Sequence, residues 1–156
     1  MGSATITVAI ADSGEFESLL KQLDAQQRPK AVKTALRNAG QTVARRARQL
    51  APRSIQTGTR DDWSAATAAL RASAAELHRS IGVVIRDYGD TFVAIVGPQY
   101  PAGAVAHLIE FGHELVAWGR PTGQRVPPQP FLRPAADETV AEQRSAIEQA
   151  LTEALT

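Results

Sequence analysis

Two apolar runs, Ile81-Gly82-Val83-Val84-Ile85 and Thr91-Phe92-Val93-Ala94-Ile95-Val96-Gly97, stand either side of Asp87-Tyr88-Gly89-Asp90. β-Branched side chains suit a pleated, half-buried surface, and Asp and Gly supply turn chemistry, so the stretch predicts an antiparallel hairpin. Upstream, Val32, Leu36, Ala39, Val43, Ala47 and Leu50 recur at helical spacing while Lys30, Lys33, Arg37, Arg45 and Arg48 lie largely off that stripe. This predicts a long helix with one buried face, ended by Pro52. Gly40 costs such a helix about 1 kcal/mol relative to alanine, so it marks either a tolerated weak point or a close approach by another backbone.

Working outward, Thr5 to Ile10 reads as a short strand, followed by turn residues Asp12-Ser13-Gly14. Phe16, Leu19, Leu20 and Leu23 then predict an amphipathic helix starting at Ser13 and stopping near Pro29. Arg53 to Asp62 is polar and predicts a mobile loop, and Ala65 to Ser80, with Leu70, Ala74 and Leu77 on one side, predicts a helix. Val105 to Phe111 is ambiguous and favours a helical turn ending at Gly112. Pro134 suits the first turn of a final helix striped by Val140, Ile147, Leu151 and Leu155. The fold class is α+β, a small, mostly antiparallel sheet packed by a long central helix and a C-terminal helix. The 156 residues are expected to form one domain over residues 1–156, with an inserted or mobile segment at about 53–76.

The absence of cysteine excludes disulfides, thiolate nucleophiles and Cys-based metal sites, and is compatible with a reducing cytoplasm. The longest apolar runs, near Ile6 to Ala11 and Phe92 to Gly97, fall far short of the roughly 20 residues that span a membrane. Met1 is not followed by a basic then apolar signal pattern, and the chain reads as soluble, with no membrane partner. The net charge of +1 hides an asymmetry: no acidic residue lies between Asp24 and Asp61, where Arg28, Lys30, Lys33, Arg37, Arg45, Arg46, Arg48, Arg53 and Arg60 all occur. Towards the other end, Asp137, Glu138, Glu142, Glu148 and Glu153 face only Arg144. Such regions attract each other within a subunit or between copies, present a positive face to nucleic acid, or are simply two solvated faces.

Chemical readings are thin. His107, Glu110 and His113 have three-residue spacing that can bring metal ligands together on a helix, but Gly112 interrupts the helix and the order is not His-Glu-x-x-His. His78 reads as an ordinary surface residue, and Ser80 lacks the glycines of a nucleophile elbow. Gly119-Arg120-Pro121-Thr122-Gly123-Gln124 lacks the Lys-Ser/Thr pair of a phosphate loop and reads as a flexible loop. No enzyme activity, cofactor or metal is expected.

More telling are two rigid, partly apolar corners, Ile109-Glu110-Phe111-Gly112 and Pro130-Phe131-Leu132-Arg133-Pro134-Ala135, flanking a polar loop. They suggest a surface ordered by another subunit, hence an assembly component. Trp118, and Trp63 in the inserted segment, can anchor polar stretches against a neighbour.

From about Val32 onward the chain resembles the phage tail-component family typified by HK-type long-tailed bacteriophages. The resemblance rests on Ala44-Arg45-Arg46-Ala47 running to Leu50-Ala51-Pro52, then Thr57-Gly58, Leu77 with Ser80-Ile81, Val96-Gly97, Glu110-Phe111-Gly112 and Pro130 to Ala135, in that order. It departs from the pattern where Thr59 to Glu76 intervene and where His113 replaces a common threonine. The resemblance implies a neck or tail-completion protein, a ring between head connector and tail tube, six copies being the usual number, assembled in the host cytoplasm into the virion. Its partners would be itself, the head-connector (adaptor or stopper) proteins, the tail-tube or terminator proteins and, transiently, genomic DNA in a central channel. The tail terminator is the alternative in the virion, and a small basic nucleic-acid-binding domain is the alternative from another class. In a ring, Phe111 and Phe131 can be desolvated anchors or plugs of their own core, with Gly112, Trp118 and Leu132 beside them. Glu110 and Arg133 can orient neighbours, and Arg45, Arg48, Arg53 and Arg60 can face the channel or a partner.

Overall fold

The computed structural model describes residues 5–8, 14–53, 76–89, 91–117 and 119–156. Its elements run β1 (Ile6–Val8), α1 (Gly14–Gln22), α2 (Arg28–Leu50), β2 (Ile81–Asp87), β3 (Phe92–Pro98), a 3-10 turn (Ala102–Val105), α3 (Ala106–Phe111), β4 (His113–Ala117), β5 (Arg120–Val126), α4 (Leu132–Glu138) and α5 (Val140–Glu153). Residues 76–80 are helical and lead into β2.

The 23-residue α2 organises the fold. Its buried face is made mostly of small residues, Ala31, Ala35, Ala39, Gly40, Ala44 and Ala47, around Leu36 and Val43. Small side chains let the helix axis approach its neighbours closely, and Gly40 is the tightest point. A Cβ there would lie 2.7 Å from Val83 Cγ1 and 3.4 Å from Val96 Cγ2. The close approach is therefore made by valine side chains of β2 and β3 rather than by backbone. At the far end Ala51 N–H returns to the Ala47 carbonyl at 2.8 Å and Pro52 stops the helix. Arg48 donates from Nε and Nη2 to the Ile81 carbonyl oxygen (3.1 and 2.6 Å), tying the end of α2 to the start of β2.

The sheet is antiparallel with order β1-β3-β2. Val83 pairs with Val96, Val84 with Ile95 and Asp87 with Phe92, the register expected of a hairpin around residues 87–90. Asp87 Oδ1 accepts the Gly89 N–H at 3.0 Å, and Gly89 adopts φ 86°, a conformation that glycine enters without a Cβ penalty. Lys33 reaches from α2 to this turn, 2.8 Å from Asp87 Oδ2, with its Nζ 4.9 Å from the centre of the Phe92 ring.

Helix α5 packs on the flank of α2 away from β2, burying Ile147, Ala150 and Leu151, and α1 adds Phe16 and Leu23. Leu36, Leu77, Ile81, Phe131, Leu132 and Leu151 are the largest fully enclosed apolar side chains, each contributing on the order of 1.5–3 kcal/mol by leaving water.

Four local expectations change. Helix α1 ends at Gln22, and Pro29 opens α2 instead of closing α1, because its missing N–H is dispensable in a first turn. The expected final helix is divided at Thr139, whose Oγ1 donates to the Ala135 carbonyl at 2.7 Å; Pro134 lies in the first turn of α4. Val140, on the expected apolar stripe, is 62% exposed. The segment read as a polar loop forms the antiparallel ribbon β4–β5, with an irregularity between Glu114 and Val116. Ser13, Trp63, Trp118, Arg60 and residues 54–75 lie outside the described residues, so the cap at Ser13, the mobile loop and most of the helix expected over Ala65 to Ser80 do too.

Candidate subunit interface

The two corner motifs, 21 residues apart, meet. Glu110 is only 5% exposed, and its carboxylate accepts three backbone N–H groups: Oε2 takes those of Phe131 (2.8 Å) and Leu132 (3.1 Å), and Oε1 that of Arg133 (3.2 Å). These are donors that the start of α4 would otherwise leave orphaned, and the next residue, Pro134, has no N–H to satisfy. Negative charge at a helix N-terminus is favoured by the peptide dipoles as well. Gln129 N–H adds a bond to the Ile109 carbonyl at 2.8 Å. Gly112 turns the chain at φ 69°, where a Cβ would lie 2.6 Å from the Val126 carbonyl oxygen. Residues 109–112 and 126–133 thus form a clasp at the base of the β4–β5 ribbon.

The clasp sorts the candidate residues. Phe131 (0% exposed), Leu132 (1%) and Glu110 face inward and hold the subunit's own fold. Phe111 points out, 66% exposed, immediately beside the rigid corner, and Arg133 is exposed. Val116 of β4 (61%) and Tyr100 (89%) add exposed apolar surface that sequence reasoning passed over, because an isolated Val or Tyr carries no periodic signal. All of β5 before Val126 faces solvent.

The three-residue spacing of His107, Glu110 and His113 does not make a metal site: Glu110 accepts three backbone N–H groups and His113 Nδ1 sits 3.3 Å from the Leu108 carbonyl oxygen. Among the described residues no group of three or more His, Asp or Glu side chains is placed to hold a metal. His78 is half-buried rather than a plain surface residue, and its Nδ1 is enclosed with no hydrogen-bond partner. Of the basic candidates, Arg45 and Arg53 are exposed, whereas Arg48 spends two donors on Ile81. The charge asymmetry is partly satisfied inside the subunit, where Arg46 Nε meets Glu138 Oε2 at 2.6 Å. No helix among the described residues is long and apolar enough to cross a membrane.

The arrangement is that of a small α+β subunit with a helix-backed sheet and a clasped, solvent-facing ribbon. The family model described as "Bacteriophage HK97-gp10, putative tail-component" matches residues 15–112, well over half of the chain. The chain belongs to this HK97-gp10-like family of bacteriophage tail components. The matched span ends at Gly112, so Glu110-Phe111-Gly112 lies inside it and Pro130 to Ala135 beyond it. Comparison with curated proteins and with solved structures returns no match.

Proposed function

We propose that this chain is a structural virion protein that closes into a ring at the neck, between head connector and tail tube, and leaves a central channel for DNA. Membership of a phage tail-component family carries the reading. A rigid clasp presenting an exposed Phe111 supports it, since a head-to-tail ring needs pre-ordered patches that dock on a different patch of the next copy. Phe111 is the anchor of that interface, with Gly112 fixing its backbone and the exposed Arg133 as a second contact. Glu110, Phe131 and Leu132 serve it indirectly by holding the clasp. The role is assembly, not catalysis, and the partners are further copies of this chain in a ring and the connector and tube proteins on either side.

The same family position accommodates a tail terminator, which caps the tube. Phage lacking this chain separates the readings. DNA-filled heads beside tails of normal length support head–tail joining, overlong tails support termination, and intact infectious particles overturn both. The exposed basic residues Lys30, Arg37, Arg45 and Arg53 favour a nucleic-acid-binding domain as the reading from another class, for which salt-sensitive DNA binding by the isolated subunit is the test.

A further inference from the structure

We infer that the outward face of α2 docks on the outward face of α5 of a second copy, a contact that builds on the ring reading by naming the surfaces that join neighbours. At 100° per residue, Lys30, Arg37, Gln41 and Arg45 fall on one exposed strip of α2, roughly 22 Å long. No acidic residue lies on α2, and among the described residues neither Lys30, Arg37 nor Arg45 has an ion-pair partner. The strip lies outside the buried face of α2: Gly40 on that face meets Val83 of β2, and Arg46, off the strip, pairs with Glu138 of α4.

Helix α5 offers the complement. Its outward face carries Glu142, Glu148 and Glu153, and a shallow, open depression of about 470 Å³ is bordered there by Glu148, Gln149, Thr152 and Glu153. Two carboxylates at the rim of an open depression suit a guanidinium, which donates in a planar fork. Arg144 is the one basic residue of α5. Among the described residues no ion pair joins the two faces within one copy. Pairing α2 of one with α5 of the next is heterologous and repeats around a closed ring. A nucleic acid would account for the cationic strip and leave the acidic depression unexplained.

The absence of cysteine makes the contact directly testable by cross-linking. Gln41→Cys with Gln149→Cys, oxidised in purified virions, is expected to give a ladder of linked chains, while either single variant gives none beyond a dimer. Arg37→Glu with Arg45→Glu should abolish the ladder, and adding Glu148→Arg with Glu153→Arg should restore it, with self-association weakened on the order of tenfold or more and then recovered. Virions that contain the chain but give no ladder overturn this contact and leave the ring reading standing; virions without the chain overturn the ring reading itself. Unchanged assembly of the Arg37→Glu, Arg45→Glu variant, with loss of its salt-dependent binding to duplex DNA, would also overturn the contact and assign the strip to nucleic acid.

Discussion

The carboxylate of Glu110 accepts the backbone N–H of Phe131 at 2.8 Å and so joins two corners of the chain 21 residues apart. With Leu132 and Arg133 bound as well, one side chain satisfies the N-terminus of α4 and closes the base of the ribbon. Glu110→Ala removes the acceptor from three donors, two of them in buried bonds, and is expected to cost about 2–4 kcal/mol. Urea unfolding checks this: a lowered midpoint with unchanged slope is expected, and an unaltered midpoint would remove the clasp from the account.

Phe111 and Phe131 should behave oppositely. Phe131→Ala empties a fully enclosed position and is expected to destabilise by about 3–5 kcal/mol. Phe111→Ala, at a position 66% exposed, should leave the thermal midpoint nearly unchanged and impair incorporation into particles. Calorimetry beside a count of joined particles separates the two effects.

Gly40→Ala sets a helix-propensity gain of about 1 kcal/mol against a Cβ 2.7 Å from Val83 Cγ1. Val83 is stiff at χ1 and is backed by the sheet, so overpacking by about 1–3 kcal/mol wins and the variant is less stable. Adding Val83→Ala should recover much of the loss; failure to do so in a double-mutant cycle would place the strain elsewhere.

The hairpin turn carries a pH-sensitive contact. The Lys33 ammonium beside Asp87, joined by the Gly89 N–H, holds the Asp87 carboxyl below its ordinary value of 3.8, outweighing a slight upward push from desolvation. A depressed folded-state pKa gives stability that is present above the ordinary carboxylate range and is lost as pH falls through the folded value, so the effect belongs to pH below about 4. Lys33→Met should raise the Asp87 midpoint in a carboxyl NMR titration, and high salt should shift it the same way.

The hairpin β2–β3 and helix α2 were legible because each carries its own local signal: branched residues around an Asp-Gly turn, and apolar residues at helical spacing. The α+β class follows from them. Ribbon β4–β5 was not, because Arg120-Pro121-Thr122-Gly123-Gln124 has almost no strand propensity and no buried face, so its pairing rests on backbone bonds and the clasp beneath it. The role of Glu110 was hidden for a related reason: a capping carboxylate three residues from its helix start leaves a pattern, whereas one 21 residues away does not. Both corner motifs were visible, but their mutual contact was not. That contact turns Phe131 inward and leaves Phe111 facing solvent.

The most direct test of the central claim is a reconstruction of purified virions by electron microscopy. The account predicts a ring of identical subunits with this fold between connector and tail tube, Phe111 buried against a neighbouring copy. Absence of the chain from the particle, or its presence only as scattered single copies, would contradict it.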